Sequence, residues 1–277
     1  MSPLLLCTDL DRTLVPNGRE PESPGARERF RRFIAEQGVT LAYVSGRHRA
    51  LVEEAIRDFA LPLPDYVIGD VGTSLYRVRD GSWSRVTDWE EIIGADWAGL
   101  DRTGLAALFE DLPELRLQEP EKQNRYKLSY YAPEDLDPGP LLERMRERLA
   151  PTQARASLIW SIDEAASVGL LDVLPEGATK YHAVVFLMGL TGHEESTTLF
   201  AGDSGNDLEV LASRIPSVLV ANGHAAVRSE AQRLVEERGF EDRLYHAVGS
   251  WGGMNGNYSA GILEGVAHFH PELLPST

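Results

Sequence analysis

Cysteine is almost missing from this chain of 277 residues: Cys7 is the only one, so no disulfide can close within it. A lone cysteine inside an apolar segment reads as a buried structural thiol, which points to a reducing, cytoplasmic setting. Long apolar runs are missing as well. No stretch approaches the roughly 20 residues that a helix needs to span a bilayer, so no membrane partner is expected. No basic region precedes the short apolar run at the N-terminus, and no signal peptide is expected either. Positive charge is in deficit, with 27 Lys and Arg against 43 Asp and Glu and a net charge of −16, which argues against nucleic acid and anionic membranes as partners. A salt-rich cytoplasm is one setting that would suit such a surface. Internal repeats and low-complexity tracts are absent. The seven histidines, His48, His182, His193, His224, His246, His268 and His270, show no metal-ligand spacing and read as structural or solvated.

What is present is a globular composition, 43% hydrophobic and 25% charged. The first third alternates strand-like and helix-like segments: 4–8, 23–37, 39–44, 48–59 and 65–68. That rhythm predicts an α/β fold with a doubly wound parallel sheet. The helix over 23–37 is expected to start with Ser23 and Pro24 and to stop at Gly38. From about Gly81 the pattern changes, with Trp83, Trp89 and Trp97, helices over 102–111 and 141–149, and strands over 126–131, 157–162 and 169–174. Pro138, Gly139 and Pro140 read as a turn within it. This predicts an inserted, smaller α+β cap, rich in βαβ, over residues 81–174, with residues 1–80 and 175–277 forming the core. The doubly wound pattern then resumes through helices over 180–187, 207–215 and 223–237 and strands over 198–201 and 217–221.

Four segments carry chemistry. The apolar run Leu4 to Cys7 leads into Asp9-Leu10-Asp11-Arg12-Thr13, so two carboxylates two residues apart leave the end of a buried strand, where open α/β sheets collect ligands. One carboxylate can attack phosphorus and the second can give a proton to the departing oxygen. Strand 39–44 ends in Ser45-Gly46-Arg47, a hydroxyl and backbone N–H groups suited to phosphate oxygens. Lys180 opens a helix-like stretch and offers a point charge to a phosphate. Strand 198–201 runs into Gly202-Asp203-Ser204-Gly205-Asn206-Asp207, whose paired carboxylates suit Mg²⁺. Each segment alone also fits an acidic turn, a plain turn, a surface lysine or a helix N-cap. Their combination in this order is what points to phosphoryl transfer.

These four motifs resemble those of haloacid dehalogenase superfamily phosphatases, with a Rossmann-like core, and the resemblance spans residues 9–207. Within that superfamily the chain is similar to the sucrose-phosphate phosphatase group, on the strength of Ala42-Tyr43-Val44-Ser45-Gly46-Arg47, Gln123 to Tyr131, Asp203 to Asp207 and the tail Ala260 to Phe269. It departs from the group in the glycine-rich segment Ser250 to Tyr258, which leaves the sugar open.

The resemblance implies hydrolysis of a sugar phosphate monoester, most simply sucrose 6-phosphate, with mannosylfructose phosphate as the alternative. Asp9 would be the nucleophile and Asp11 the acid and base. Mg²⁺ would be held by Asp9, the Asp11 backbone carbonyl, Asp203 and Asp207, and the phosphate by Ser45, Gly46 and Lys180. Arg47, Gln123, Asn124, Lys127 and Asn206 would bind the sugar, although Gln123, Asn124 and Lys127 also read as an exposed strand edge. Tyr126 and Tyr130 alternate on a strand and read as core. A glycosyltransferase of the same pathway is the one protein partner the resemblance suggests. The acid at Asp11 separates the chain from the superfamily's dehalogenases and transport ATPases and leaves phosphatase and phosphomutase. A non-catalytic sugar-phosphate binder is the third class, and it would need no nucleophile and acid together.

Overall fold

A computed structural model describes residues 3–163 and 166–274. The chain divides into two compact units, one of residues up to 85 together with those from 180 onward, the other of residues 86–179.

The first unit holds an eight-stranded sheet. In chain order its elements are β1 (Leu5–Thr8), α1 (Ala26–Gln37), β2 (Thr40–Val44), α2 (Arg49–Asp58), β3 (Tyr66–Gly69), β4 (Ser74–Arg79) and β5 (Ser82–Arg85). The second unit follows with α3 (Thr87–Gly94), α4 (Arg102–Ala107), β6 (Arg116–Leu117), β7 (Leu128–Pro133), α5 (Pro138–Leu149), β8 (Ala156–Asp163) and β9 (Val168–Pro175). The chain then returns to the first unit with α6 (Lys180–Thr191), β10 (Thr198–Gly202), α7 (Leu208–Leu211), β11 (Ser217–Leu219), α8 (Ala225–Arg238), β12 (Leu244–His246) and α9 (Ser259–Phe269). The strand order is β12-β11-β10-β1-β2-β3-β4-β5, parallel from β12 to β3 and antiparallel at β3–β4 and β4–β5. Among the described residues no helix is long and apolar enough to cross a membrane.

Central parallel strands are covered on both faces, so β1 reads as an unbroken apolar run and is wholly buried. Cys7 lies in it, and burial pushes its thiol far above the ordinary value. Helix α9 packs its apolar length against β11 and α1, and its first eight residues are buried. Glycine is needed there because a Cβ on Gly265 would fall 2.6 Å from Val218 Cβ.

Several elements differ from expectation for identifiable reasons. Helix α1 starts at Ala26, after Gly25 in the left-handed region (φ 77°), rather than at Ser23. Ser23 is engaged elsewhere: its Oγ accepts the Asn255 N–H at 2.9 Å, which ties the glycine-rich segment to the start of α1. Pro138, Gly139 and Pro140 form the first turn of α5, capped by Asp137, rather than a turn between elements. The helix expected over 207–215 is a 3-10 turn, Gly205–Asp207, followed by the single helical turn α7. The hairpin β4–β5 extends the first unit to residue 85, beyond the change of pattern at Gly81. Asp80 and Gly81 both take positive φ (49° and 76°) at its turn.

In the second unit the sheet is antiparallel throughout, in the order β6-β7-β9-β8, so β7 and β8 run parallel with β9 between them and α5 as their crossover. Its aromatic residues form the core: Trp97 meets Tyr126 edge-on at 5.5 Å and Phe109 meets Tyr130 at 6.5 Å.

Candidate active site

Because β10, β1 and β2 lie side by side and parallel, their carboxyl ends form one rim. Asp9 follows β1, Ser45 follows β2 and Asp203 follows β10. Asp207 returns to this rim through its side chain, whose Oδ2 accepts the N–H groups of Asp203 and Ser204, each at 3.1 Å. That fold-back requires Gly202, since a Cβ there would sit 2.7 Å from the Asp207 carboxyl.

Lys180, at the first position of α6, reaches the same point. Its Nζ donates to Asp9 Oδ1 at 2.9 Å, Asp207 Oδ1 at 2.7 Å and Asn206 Oδ1 at 3.0 Å. Asp9, Asp203 and Asp207 are all buried, and each offers an oxygen within 4.8 Å of the others. Burial, with the charges of Asp207 and Asp203, pushes the Asp9 carboxyl up to about 7 against the pull of Lys180. Burial and Asp207 also raise Asp203, while Arg12 and Thr13 restrain it. Burial alone would lower the Lys180 ammonium, but the carboxylates of Asp207 and Asp9 outweigh it and hold it above its usual value.

Asp11 stands apart from that cluster. Its carboxylate takes two hydrogen bonds from Arg47 and a third from Asn17 Nδ2 at 2.7 Å. Burial would raise it, yet the Arg47 and Asn17 contacts prevail and hold it below the usual carboxylate range. Ser45 is fully buried and accepts the Arg47 N–H at 3.2 Å. The loop after β3 supports Ser45 to Arg47: Val71 N–H donates to Ser45 O, Asp70 N–H donates to Arg47 O, and both residues adopt left-handed φ (63° and 52°). A β-branched residue there is strained, and such strain gathers at functional sites.

The structure therefore brings together Asp9, Lys180, Asp203, Asn206 and Asp207 as one cluster, with Asp11 and Arg47 as a pair beside it and Ser45 and Gly46 on the next strand end. Gln123, Asn124 and Lys127 belong to the second unit. Gln123 is engaged there as a surrogate strand: its amide accepts from Ser129 N–H and donates to the Ser129 and Gln118 carbonyls. Asn124 Oδ1 accepts the Tyr126 N–H at 2.8 Å. Lys127 Nζ donates to Ser129 Oγ at 2.8 Å and lies 3.4 Å from Asp172 Oδ1.

Sequence reasoning missed Arg12, Thr13 as a ligand of Asp203, Asn17 and Asn222. Arg12 has left-handed φ (61°) and its Nε donates to Asp203 Oδ2 at 3.1 Å. Thr13 Oγ1 donates to Asp203 Oδ1 at 3.2 Å. Asn222 is buried, donates from Nδ2 to Arg12 O at 2.6 Å and accepts from Tyr258 N–H. The one signal available was the Asn17-Gly18 pair, a turn dipeptide close behind the aspartates.

The family model for sucrose-6F-phosphate phosphohydrolase matches residues 2–270 of this chain. The chain belongs to that family. As a member of the sucrose-6F-phosphate phosphohydrolase family it is a phosphoric monoester hydrolase of the haloacid dehalogenase superfamily, acting on sugar phosphates. It is 55% identical over 97% of its length to a putative HAD-like hydrolase of Nitrosococcus oceani, of which it spans 72%. It is 28% identical to the mannosylfructose-phosphate phosphatase of Agrobacterium fabrum, with 97% of this chain and 98% of that one matched. Against sucrose-phosphatase 1 of Nicotiana tabacum the identity is 27%, and the chain spans 59% of that longer protein. Among solved structures it is similar to the sucrose-phosphatase from Synechocystis sp. PCC6803 in complex with sucrose and phosphate, with a TM-score of 0.73, 26% identity, and 97% and 98% of the two chains covered.

Proposed function

We propose that this chain hydrolyses a disaccharide phosphate of the sucrose 6-phosphate kind through a phospho-enzyme formed on Asp9. The observation that carries the reading is the buried cluster in which one ammonium, Lys180 Nζ, bridges Asp9 and Asp207 at 2.9 and 2.7 Å with Asp203 beside them. Burying three carboxylates is costly, and such arrangements persist where a reaction needs them.

The donor set fits Mg²⁺: three buried carboxylates with mutually close oxygens, and neither sulfur nor imidazole among them. Asp9, Asp203 and Asp207, with the Asp11 carbonyl, would hold the ion. When bound, it supplies positive charge for the phosphoryl oxygens. Asp9 attacks phosphorus in line, and the bond from phosphorus to the sugar oxygen breaks as Asp11 passes that oxygen a proton. Asp11, now a base, takes a proton from water, whose oxygen attacks the aspartyl-phosphate and releases inorganic phosphate with Asp9 restored. Lys180, the Ser45 hydroxyl and the N–H groups of the 45–47 loop meet the negative oxygens.

For the sugar, Lys127 and Asn124 remain the proposed selectors. Gln123, with its amide committed to Ser129 and Gln118, is better suited to shaping their segment. Mannosylfructose phosphate is the second substrate reading, favoured by the end-to-end match with the Agrobacterium enzyme of that name.

The test is phosphate release in Mg²⁺ from sucrose 6-phosphate, mannosylfructose phosphate, glucose 6-phosphate, fructose 6-phosphate and phosphoglycolate, with Asp9→Asn as the blank. A strong preference for one disaccharide phosphate is expected. Equal, weak release across the panel would remove the disaccharide assignment, and normal turnover by Asp9→Asn would remove the mechanism.

A further inference from the structure

Arg12 occupies an unusual place. It lies between Asp11 and Thr13 with left-handed φ, a conformation that costs an ordinary residue free energy and persists only when neighbours enforce it. Here they do. The Arg12 N–H donates to Asn17 Oδ1 at 2.8 Å and to Val15 O at 3.1 Å, and its carbonyl accepts from Asn222 Nδ2. The guanidinium is fixed in turn, with Nη2 on Asn222 O at 3.2 Å and Nε on Asp203 Oδ2 at 3.1 Å.

The partner of that guanidinium is the least exposed kind of carboxylate, with a side chain only 1% accessible, whereas Arg12 itself is 29% accessible. Asp203 is also the member of the three-carboxylate cluster to which Lys180 donates no hydrogen bond. Lys180 therefore neutralises the Asp9 and Asp207 side of the cluster, and Arg12 the Asp203 side. Without Arg12 the three carboxylates and Lys180 would leave two uncompensated negative charges; with it they leave one.

This charge acts in opposite directions on two ligands. A cation close to Asp203 opposes a divalent ion sharing that carboxylate, and it favours a phosphate dianion arriving at the same rim. A strongly acidic chain needs such a bias, since its overall field repels the substrate. We propose that Arg12 is a positioning residue whose fixed charge on Asp203 trades affinity for the metal against affinity for the phosphate group. The inference rests on the metal-assisted phosphatase reading above.

Calorimetric titration tests it on the full chain. Mg²⁺ is titrated into wild type, Arg12→Gln and Arg12→Lys, and inorganic phosphate is then titrated into each Mg²⁺-saturated protein. Removing a partly screened charge at this range is expected to change affinity about 5- to 10-fold. Arg12→Gln should bind Mg²⁺ that much more tightly and phosphate that much more weakly, with Arg12→Lys close to wild type in both. Arg12→Gly, which relieves the left-handed backbone, should repeat the Gln result if folding of the Gln variant is impaired. Weaker binding of both ligands by the Gln and Gly variants would mean that Arg12 only supports the loop, and would overturn the proposal. Wild type that takes up no Mg²⁺ would overturn it together with the metal site, a failure distinct from the first.

Discussion

Arg47 grips Asp11 through both carboxylate oxygens, with Nε 2.8 Å from Oδ2 and Nη2 2.7 Å from Oδ1. The residue proposed as acid is thereby held in its ionised form, because the paired guanidinium keeps its carboxyl low. To protonate a leaving oxygen, Asp11 must first lose that grip, and an arriving phosphate is a natural competitor for Arg47.

Arg47→Ala should therefore shift the alkaline limb of the kcat/KM profile to higher pH, since a free Asp11 holds its proton longer. Substrate binding should weaken at the same time, with a loss in kcat/KM of about 10-fold or more from the missing bidentate contact. A pH profile superposing on wild type would show that Arg47 does not govern Asp11.

Asp9 links pH to stability in the metal-free protein. Its carboxyl is raised from 3.8 to about 7, so the stability it contributes is present below pH 3.8 and is lost as pH rises through 7. In EDTA, Asp9→Asn should melt above wild type by a margin that grows from pH 5 to pH 8, reaching several degrees. Excess Mg²⁺ should raise wild type and not the variant. Melting curves that stay parallel across this range would sink the idea.

Gly265 lets α9 approach β11. Gly265→Ala should lower stability by about 1–3 kcal/mol through overpacking against Val218, measurable as a drop in denaturant midpoint with an unchanged slope. A midpoint equal to wild type would mean that the helix can retreat freely.

In the second unit, Gln123 and Lys127 should separate. Gln123→Ala removes the bonds it makes to the Ser129 N–H and the Gln118 carbonyl, while the Ser129 carbonyl keeps the Gln118 N–H, and should cost about 1–3 kcal/mol of stability. Lys127→Ala should raise KM for the sugar phosphate and also lower the melting temperature, because its buried ammonium is bonded to Ser129 Oγ and Lys122 O and paired with Asp172. Equal effects of the two substitutions on KM would reject this division.

The strands that carry the site were legible because β1, β2 and β10 are short apolar runs, each followed at once by a polar group. Asp9, Ser45 and Asp203 inherit their positions from that pattern. What the sequence hid is set by distance along the chain. Arg12 and Asp203 are 191 residues apart, and Asn222 meets Arg12 across 210, so no local periodicity records either contact. Gln123 is ambiguous for a different reason: an amide can stand in for a strand neighbour or bond a sugar hydroxyl, and composition does not distinguish the two. The hairpin β4–β5 was legible in principle from Asp80-Gly81 between alternating residues, but it adjoins the change of pattern at 81 and was absorbed into it.

The pairing of β1 with β10, Leu5 against Thr198, also has a temporal meaning. During synthesis the nucleophile strand emerges long before the strand that completes its flank. At roughly 5–20 residues per second the wait is about 10–40 s. For most of that interval β1 exposes an unpaired apolar edge, and neither Lys180 nor Asp203 exists to meet Asp9. The site therefore cannot assemble until the chain has been made through Asp207, long after β1 to β5.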